Sequence, residues 1–328
     1  MSKAQQVAEA IDQPRATSLD NLDNKNLICQ LDNMSVVEVR GNDATPFLHG
    51  QFINDVENLV ENQIQLNGYC DPKGRLIALF YLIRLADHYL MVIENTLQDN
   101  VVKRLKMFVL MADVEFSITS KACYGFIQQE DSTHPRLAVE KNSVASAEEG
   151  VMVASLSADT PRYLIIQEKK QPPDIYEGCL VCDSSVWRLF DIKSGTPSLV
   201  EKTQGCFVPQ MMNLDLIDGL SFSKGCYPGQ EVVARMHHLG KLKRRMTRLS
   251  IHCEEKPLPG DGIYSTDSTN NESVGKIVST VTVANEEHEA LAVMLIKHCD
   301  DSDLYLDDGN DTKISFLKLP YSVPECET

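Results

Sequence analysis

The chain has 328 residues, a formal net charge of −16 at pH 7 and a 43% apolar share. That length exceeds one typical core and predicts two or more domains. The acidity excludes general affinity for nucleic acid or anionic membrane, so no DNA contact is predicted and any anionic partner must meet a local basic patch.

The N-terminal stretch MSKAQQVAEAIDQPRATSLDNLDNKN is polar and lacks the apolar core of a secretory signal; residues 1–25 are expected to form a flexible lead-in. No apolar run of about eighteen residues or more predicts a membrane-spanning helix. Ten scattered cysteines without a signal sequence read as free thiols in a reducing, cytoplasmic setting.

MSVVEV (34–39) alternates like a strand and stops at Gly41. DATPFLHGQFINDV follows as a helix, with Asp43 as N-cap and Pro46 in the first turn. The two apolar runs of 75–94, joined near Ala86, Asp87 and His88, predict an antiparallel hairpin. Helical spacing returns at 97–111, where Leu97, Val101, Leu105, Phe108 and Val109 share a face. Lys103, Arg104 and Lys106 in that helix read as a solvated face. Strands are expected at 113–119, 122–127, 151–156 and 162–167, with the polar piece 128–150 between them as a loop.

DSSVWRLFDIKSG predicts a helix capped by Asp183 or Ser184 and stopped at Gly195. It carries the chain's single tryptophan, Trp187, which is either core or a flat surface for stacking a heteroaromatic ligand. The preceding Cys179–Cys182 pair has no second ligand pair at zinc spacing, so no metal site is predicted. After about residue 245, short strand-like segments separated by Gly, Asp, Asn and Pro imply a small β-barrel or sandwich.

Against the overall acidity, KGCYPGQE (224–231) leads into a basic stretch holding Arg235, Lys241, Lys243, Arg244, Arg245 and Arg248 with no acid among them. Gly225, Pro228 and Gly229 punctuate a turn, and Gln230 to Leu239 read as a helix. Cys226 would then stand near a helix start, where N–H groups and the macrodipole favour a thiolate, with Lys224 beside it. Burial as a small apolar residue is the alternative. A nucleophilic role would want a base, for which His237 and His238 are the nearest in sequence.

KGCYPGQEVVAR, with LDNMSVVEVRGNDATPFLHGQ, CDPKGRL, WRLFDIKSGTP and FVPQMMNLDLIDGLSFSKG, resembles the YgfZ family. These are folate-binding proteins associated with tRNA modification and related to the aminomethyltransferase (T-protein) of glycine cleavage. The resemblance runs from about residue 26 to the end. It implies an α+β fold with two similar folate-binding subdomains around a central opening over 26–240, and a C-terminal β-barrel over 241–328. It also implies tetrahydrofolate or a derivative as ligand, and a cytoplasmic role supporting tRNA modification through iron–sulfur, tRNA-thiolating enzymes.

The resemblance carries Cys226 over as the marked thiol and Trp187 as a folate contact. Met34 falls where the family has a second tryptophan, and a thioether offers a ring edge no flat face. Lys224, Gly225, Tyr227, Gly229, Gln230, Glu231 and Arg235 belong to the motif, and Asp71, Lys73 and Gly74 match its D-x-K-G turn. Glu231 is expected to anchor the helix start or to pair with a nearby cation.

True aminomethyl transfer in the related T-proteins uses a carboxylate on the strand after that turn. Ile77 and Ala78 stand there, and KSG (193–195) replaces a glutamate before Ala-Gly. Acid–base handling of an aminomethyl group thus lacks its agents. Two alternatives stay open beside a folate-binding accessory protein: a one-carbon transferase, and an RNA-binding module built on the basic stretch.

Overall fold

The computed structural model describes residues 22, 25–129, 139–148, 150–156, 160–168, 179–239, 242–266, 272–299, 303–306 and 312–323. The expected lead-in lies outside them except for residues 22 and 25, as does Lys241. The chain divides into two compact units. The first takes the described residues up to Leu48, Val56–Leu66 and Phe80–Trp187; the second takes His49–Asp55, Asn67–Leu79 and the chain from Arg188 on.

One sheet has five strands: β2 (Met34–Arg40), β3 (Gln63–Cys70), β4 (Leu76–Arg84), β5 (His88–Glu94) and β6 (Glu115–Ile118), in the order β3-β4-β5-β2-β6. The expected hairpin at 75–94 is β4 and β5, closed by Leu85 N–H on the His88 carbonyl at 2.9 Å. Both strands are almost wholly buried, which explains why they read as continuous apolar runs instead of alternating. α1 (Ala44–Gln51) is shorter than its sequence pattern, because Phe52 leaves the helix to bridge Tyr69. α2 covers Asn95–Val109, a shift of two residues from the expected span.

The first unit holds a six-stranded sheet in the order β11-β1-β7-β10-β9-β8. Its members are β1 (Leu27–Gln30), β7 (Ala122–Ile127), β8 (Val144–Glu148), β9 (Val151–Leu156), β10 (Arg162–Gln167) and β11 (Leu180–Cys182). Strands β7, β9 and β10 match their expected spans. β8 corrects the loop expected over 128–150: Val144 to Ser146 pair antiparallel with β9. All six residues of β10 are buried, Arg162 and Gln167 included. Cys182 of β11 pairs in register with Cys29 of β1, and burial pushes the Cys29 thiol well up, with Cys182 adding to the effect.

α3 spans Ser184–Lys193, and Asp183 caps it by accepting the Ser185 N–H at 2.7 Å, one of the two expected caps. α4 spans Gln230–Leu239, as the sequence implies.

The second unit ends in six antiparallel strands: β12 (Arg244–His252), β13 (Gly262–Ser265), β14 (Gly275–Ala284), β15 (Glu287–Leu295), β16 (Leu304–Leu306) and β17 (Lys313–Leu317). Their order is β16-β13-β14-β15-β12-β17, and the edge strands β16 and β17 approach each other, so the sheet curls into a nearly closed barrel. Leu249, Ile251, Ile263, Ile277, Ala292 and Met294 fill it. Two register shifts in the β14–β15 ladder mark bulges of the kind that add local twist to a curling sheet.

Candidate functional site

The D-x-K-G segment is a tight turn between β3 and β4. Asp71 Oδ1 accepts the N–H groups of Lys73 and Arg75 at 2.8 and 2.9 Å, and Gly74 N–H donates to the Asp71 carbonyl at 2.9 Å. Asp71 is thus committed to the turn, while the Lys73 side chain is exposed. Gly74 has φ +73° and Gly229 has φ +83°. A Cβ on Gly229 would stand 2.5 Å from the Asp71 carbonyl oxygen and from Gly74 Cα and N. Two motif glycines therefore pack backbone on backbone, and this fixes the loop before α4 against the turn.

The loop has a second anchor. Lys224 is buried, and its ammonium donates to the carbonyls of His49 and of Phe52, the latter at 2.6 Å. Nζ also lies 4.8 Å from the centre of the Tyr227 ring, a cation–π distance. Burial pushes the Tyr227 phenol up, with Cys70 adding to it. Between these two buried side chains the chain turns outward, and Gly225 and Cys226 are exposed. Gln230 closes the loop, its amide reaching the carbonyls of Lys224 and Gly225 at 3.4 and 3.5 Å. Glu231 and Arg235 of the helix are exposed, and Gln230 N–H on the Tyr227 carbonyl opens it.

The histidines closest in sequence to the thiol have other contacts. His237 stacks on Phe222 with ring centres 3.7 Å apart, and His238 meets His237 edge-on at 4.9 Å. The imidazole beside the loop is His49, at the end of α1. Its Nε2 lies 3.4 Å from where a Cβ on Gly225 would be, and its Nδ1 lies 3.4 Å from Asp55 Oδ1. Sequence reasoning missed both residues, although His49 lies within a stretch that supported the resemblance and Asp55 stands just beyond it.

Trp187 and Met34 belong to the first unit, the thiol loop to the second. Trp187 is only 8% exposed. Its indole lies on Gly125 of β7, where an added Cβ would stand 2.1 Å from Cε3, and the Arg162 guanidinium carbon is 5.0 Å from the ring centre. The glycine makes room for the ring. Gly125→Ala is accordingly expected to displace the indole and destabilise the first unit by about 1–3 kcal/mol, as overpacking does. With one tryptophan in the chain, a shift in its emission maximum reports that displacement directly. Met34 opens β2 half-buried, its N–H on the Leu31 carbonyl at 3.0 Å.

The basic stretch is less available than its composition suggests. Arg245 is buried and grips Asp215 with both terminal nitrogens, at 2.7 and 3.0 Å. Arg248 grips Glu289 Oε2 at 3.0 and 2.6 Å, and Arg244 reaches the Ser273 carbonyl at 3.4 Å. Among the described cations of that stretch, Arg235 and Lys243 are the exposed ones. The strand arginines of this stretch are held by acids and carbonyls distant in sequence.

On β4, Ile77 and Ala78 are buried apolar residues, and Lys193 lies with Nζ 5.5 Å from the Phe190 ring centre. Among the described residues no group of three or more His, Cys, Asp or Glu side chains is placed to hold a metal, and no helix is long and apolar enough to cross a membrane.

In fold, the chain is similar to the glycine cleavage system aminomethyltransferase T from Bartonella henselae, with a TM-score of 0.71 over 91% of this chain and 86% of that one. The sequence identity there is 11%, so this likeness concerns the mixed α/β fold and barrel-like sheet alone. No family model matches the chain. A protein of Colwellia psychrerythraea, named tRNA-modifying protein YgfZ, is 31% identical over 307 residues, covering 90% of this chain and 93% of its own length. One of the same name from Vibrio vulnificus is 32% identical over 225 residues, covering 67% and 68%. At that identity and coverage, the chain belongs to the YgfZ family.

Proposed function

We propose that this chain is a cytoplasmic, folate-binding accessory protein of tRNA modification that supports iron–sulfur, tRNA-thiolating enzymes and works through the thiol of Cys226. The observation that carries this reading is the match over nine-tenths of the chain to relatives named for tRNA modification. The build of the KGCYPGQE loop agrees with it: a paired-glycine joint and a buried lysine hold an exposed cysteine in place. Two similar subdomains within 26–240 and a barrel over 241–328 are part of the same proposal.

Tetrahydrofolate or a derivative is the proposed ligand, with Trp187 and Met34 as its contacts in the first unit. Because Trp187 is nearly buried, its contribution is that of a fixed wall instead of an open stacking face. Aminomethyl transfer is the weaker reading, since buried Ile77 and Ala78 and the lysine at 193 offer no carboxylate where that chemistry wants one. RNA binding through the basic stretch is weaker too, with Arg245 and Arg248 held in ion pairs.

Calorimetric titration with tetrahydrofolate tests the ligand. Trp187→Ala is expected to weaken binding about tenfold, the loss of one aromatic contact; unchanged affinity would remove the role of the ring, and no binding by the native chain would remove folate. Cys226→Ala is expected to bind folate normally yet fail to support tRNA thiolation in cells. Full thiolation with that variant would sink the thiol's part.

A further inference from the structure

α2 ends in a run of exposed apolar side chains. The helix packs on β2 and β5, and Leu97, Val101 and Leu105 are buried on that face. Phe108 belongs to the same face by helical spacing yet is 51% exposed, so the cover has ended by the last turn. Met107 is 61% exposed, Leu110 90% and Met111 99%. The other large apolar side chains exposed among the described residues, Val60, Ile118 and Leu258, stand singly in the sequence. Scattered singles are ordinary on a protein surface, whereas a contiguous apolar patch marks an interaction site. Leu110 is also strained: its φ is +42°, in the left-handed region. The other described non-glycine residues with positive φ, Asn62, Asn142, Asn213, Asp218 and Glu286, are all polar. Asparagine and aspartate tolerate that backbone, and leucine adopts it at a cost. Strain that gains no packing inside the chain points to a contact outside it.

We propose that the end of α2 is a docking surface for another protein, one that presents an apolar helix face edged with Asp or Glu. The charge of the surface names the partner. Lys103, Arg104 and Lys106 lie one turn back, and among the described residues none of them is ion-paired, unlike Arg245 and Arg248. Lys103, Lys106, Met107 and Leu110 follow one another at helical spacing, so cations and apolar anchors share a stripe. That stripe is about 10 Å long at 1.5 Å per residue, which two turns of a partner helix would cover. Phenylalanine, methionine and arginine are the side chains that protein interfaces favour, and methionine adapts its shape to what it meets. In a chain of net charge −16, an unpaired cationic turn selects an acidic partner. Other occupants fit less well. Asp99 and Glu115 are exposed on either side of the patch, and a uniformly anionic lipid surface would repel them. A twofold contact with a second copy, centred on this turn, would set each group of cations against its own image. RNA would offer phosphates to the cations and leave Leu110 and the methionines without apolar partners. The surface lies in the first unit and does not depend on the reading of Cys226.

The probes are two short synthetic peptides carrying a fluorophore. One sets Leu and Phe at helical spacing between Glu residues, and the other has Gln in place of every Glu. Both are titrated against the full chain by fluorescence anisotropy. The acidic peptide is expected to bind about tenfold tighter than the neutral one, although the chain as a whole repels it. Phe108→Ser is expected to weaken the acidic peptide about tenfold or more, as loss of an aromatic anchor does. Lys103→Gln with Lys106→Gln is expected to abolish the preference for the acidic peptide. Leu110→Gly separates a role inside the chain from one outside it. Glycine takes the positive φ without strain, so the thermal midpoint is expected to rise by roughly 2–6 °C while the acidic peptide binds about tenfold more weakly.

No binding of the acidic peptide, or equal affinity for the two peptides, would overturn the proposal. So would a lower midpoint for Leu110→Gly, which would make the leucine part of the chain's own packing. Two further measurements cover the other occupants. Binding of the native chain to vesicles of phosphatidylserine and phosphatidylcholine, lost in Phe108→Ser, would assign the surface to a membrane and overturn the protein partner. A native dimer in sedimentation that Phe108→Ser dissociates would assign it to a second copy, with the same consequence. A monomer that ignores the vesicles and binds the acidic peptide through Phe108 and Leu110 is the expected result.

Discussion

Gly229→Ala is expected to destabilise the second unit by about 3 kcal/mol and to disable whatever depends on Cys226. Two costs add. An L-residue in the left-handed region loses about 1–2 kcal/mol, and Gly229 sits there at φ +83°. The added methyl would also stand 2.5 Å from the Asp71 carbonyl oxygen and from Gly74 Cα and N, which are backbone atoms without a rotamer to yield. Overpacking of this kind typically costs a further ~1–3 kcal/mol. For a unit of this size the sum corresponds to a drop in thermal midpoint of roughly 6–12 °C. Gly225→Ala supplies the contrast within the same motif. Its Cβ would meet the His49 ring, with Nε2 at 3.4 Å and Cδ2 at 3.8 Å, ordinary contacts, so its midpoint is expected to fall by less than about 3 °C. Melting curves followed by circular dichroism compare the two. Similar midpoints for both variants would mean that the loop is not locked to the turn as the packing indicates.

That contrast shows what the sequence could and could not convey. The glycines of KGCYPGQE and D-x-K-G announce turns wherever they stand, since only their φ freedom is local. That Gly74 and Gly229 touch is a fact of tertiary packing, invisible to spacing along the chain. Strands β7, β9 and β10 were legible because buried apolar runs bounded by turn residues can be little else. β3 was not: QIQLNGYC carries a buried asparagine, Asn67, which no hydrophobic pattern anticipates. Its Oδ1 accepts the N–H groups of Asn54 and Gly68 at 3.0 and 2.8 Å, so the polar side chain replaces ladder partners the backbone would otherwise lack. β8 hid for a different reason. An edge strand needs only one partner, and VASAE is too polar to announce it.

The same limit governs the candidate site. Proximity in sequence nominated His237 and His238, yet the fold brings His49 to the loop through the Lys224 anchor. An imidazole and a loop separated by more than half of the chain can be brought together only by topology. For the cations, counting positive residues without acids between them suggested a patch. Asp215 and Glu289, which hold two of its arginines, stand outside that stretch of sequence.

Asp215→Ala is expected to cost about 3–5 kcal/mol, the largest effect among the substitutions considered, because it leaves the Arg245 guanidinium buried without its counter-charge. Arg245 is 3% exposed and Asp215 10% at their side chains, and two parallel bonds join them. A third bond runs from the guanidinium to the Gln210 carbonyl at 2.9 Å. The neighbourhood is equally short of water. Asn213 donates to the Met246 carbonyl at 2.9 Å, and Tyr321 donates to the Gly195 carbonyl at 2.9 Å, its phenol pushed up to about 12 by burial. A charge stranded there has no solvent to take the place of the carboxylate. The paired replacement Arg245→Met with Asp215→Leu is expected to recover most of the loss, since apolar side chains of similar volume avoid the desolvation of both charges. Urea unfolding of Asp215→Leu, Arg245→Met and the double completes a cycle whose coupling term measures the pair. If Asp215→Ala instead falls within about 1 kcal/mol of the native chain, the pair is wet and behaves as a surface bridge. In that event Arg245 returns to the pool of cations available to an anionic partner, and salt-dependent tRNA binding lost on Arg245→Met would be the consequence to look for. A large loss on Asp215→Ala, with no change in salt-dependent tRNA binding on Arg245→Met, places this arginine in the structure that carries the β12 strand and outside any recognition surface.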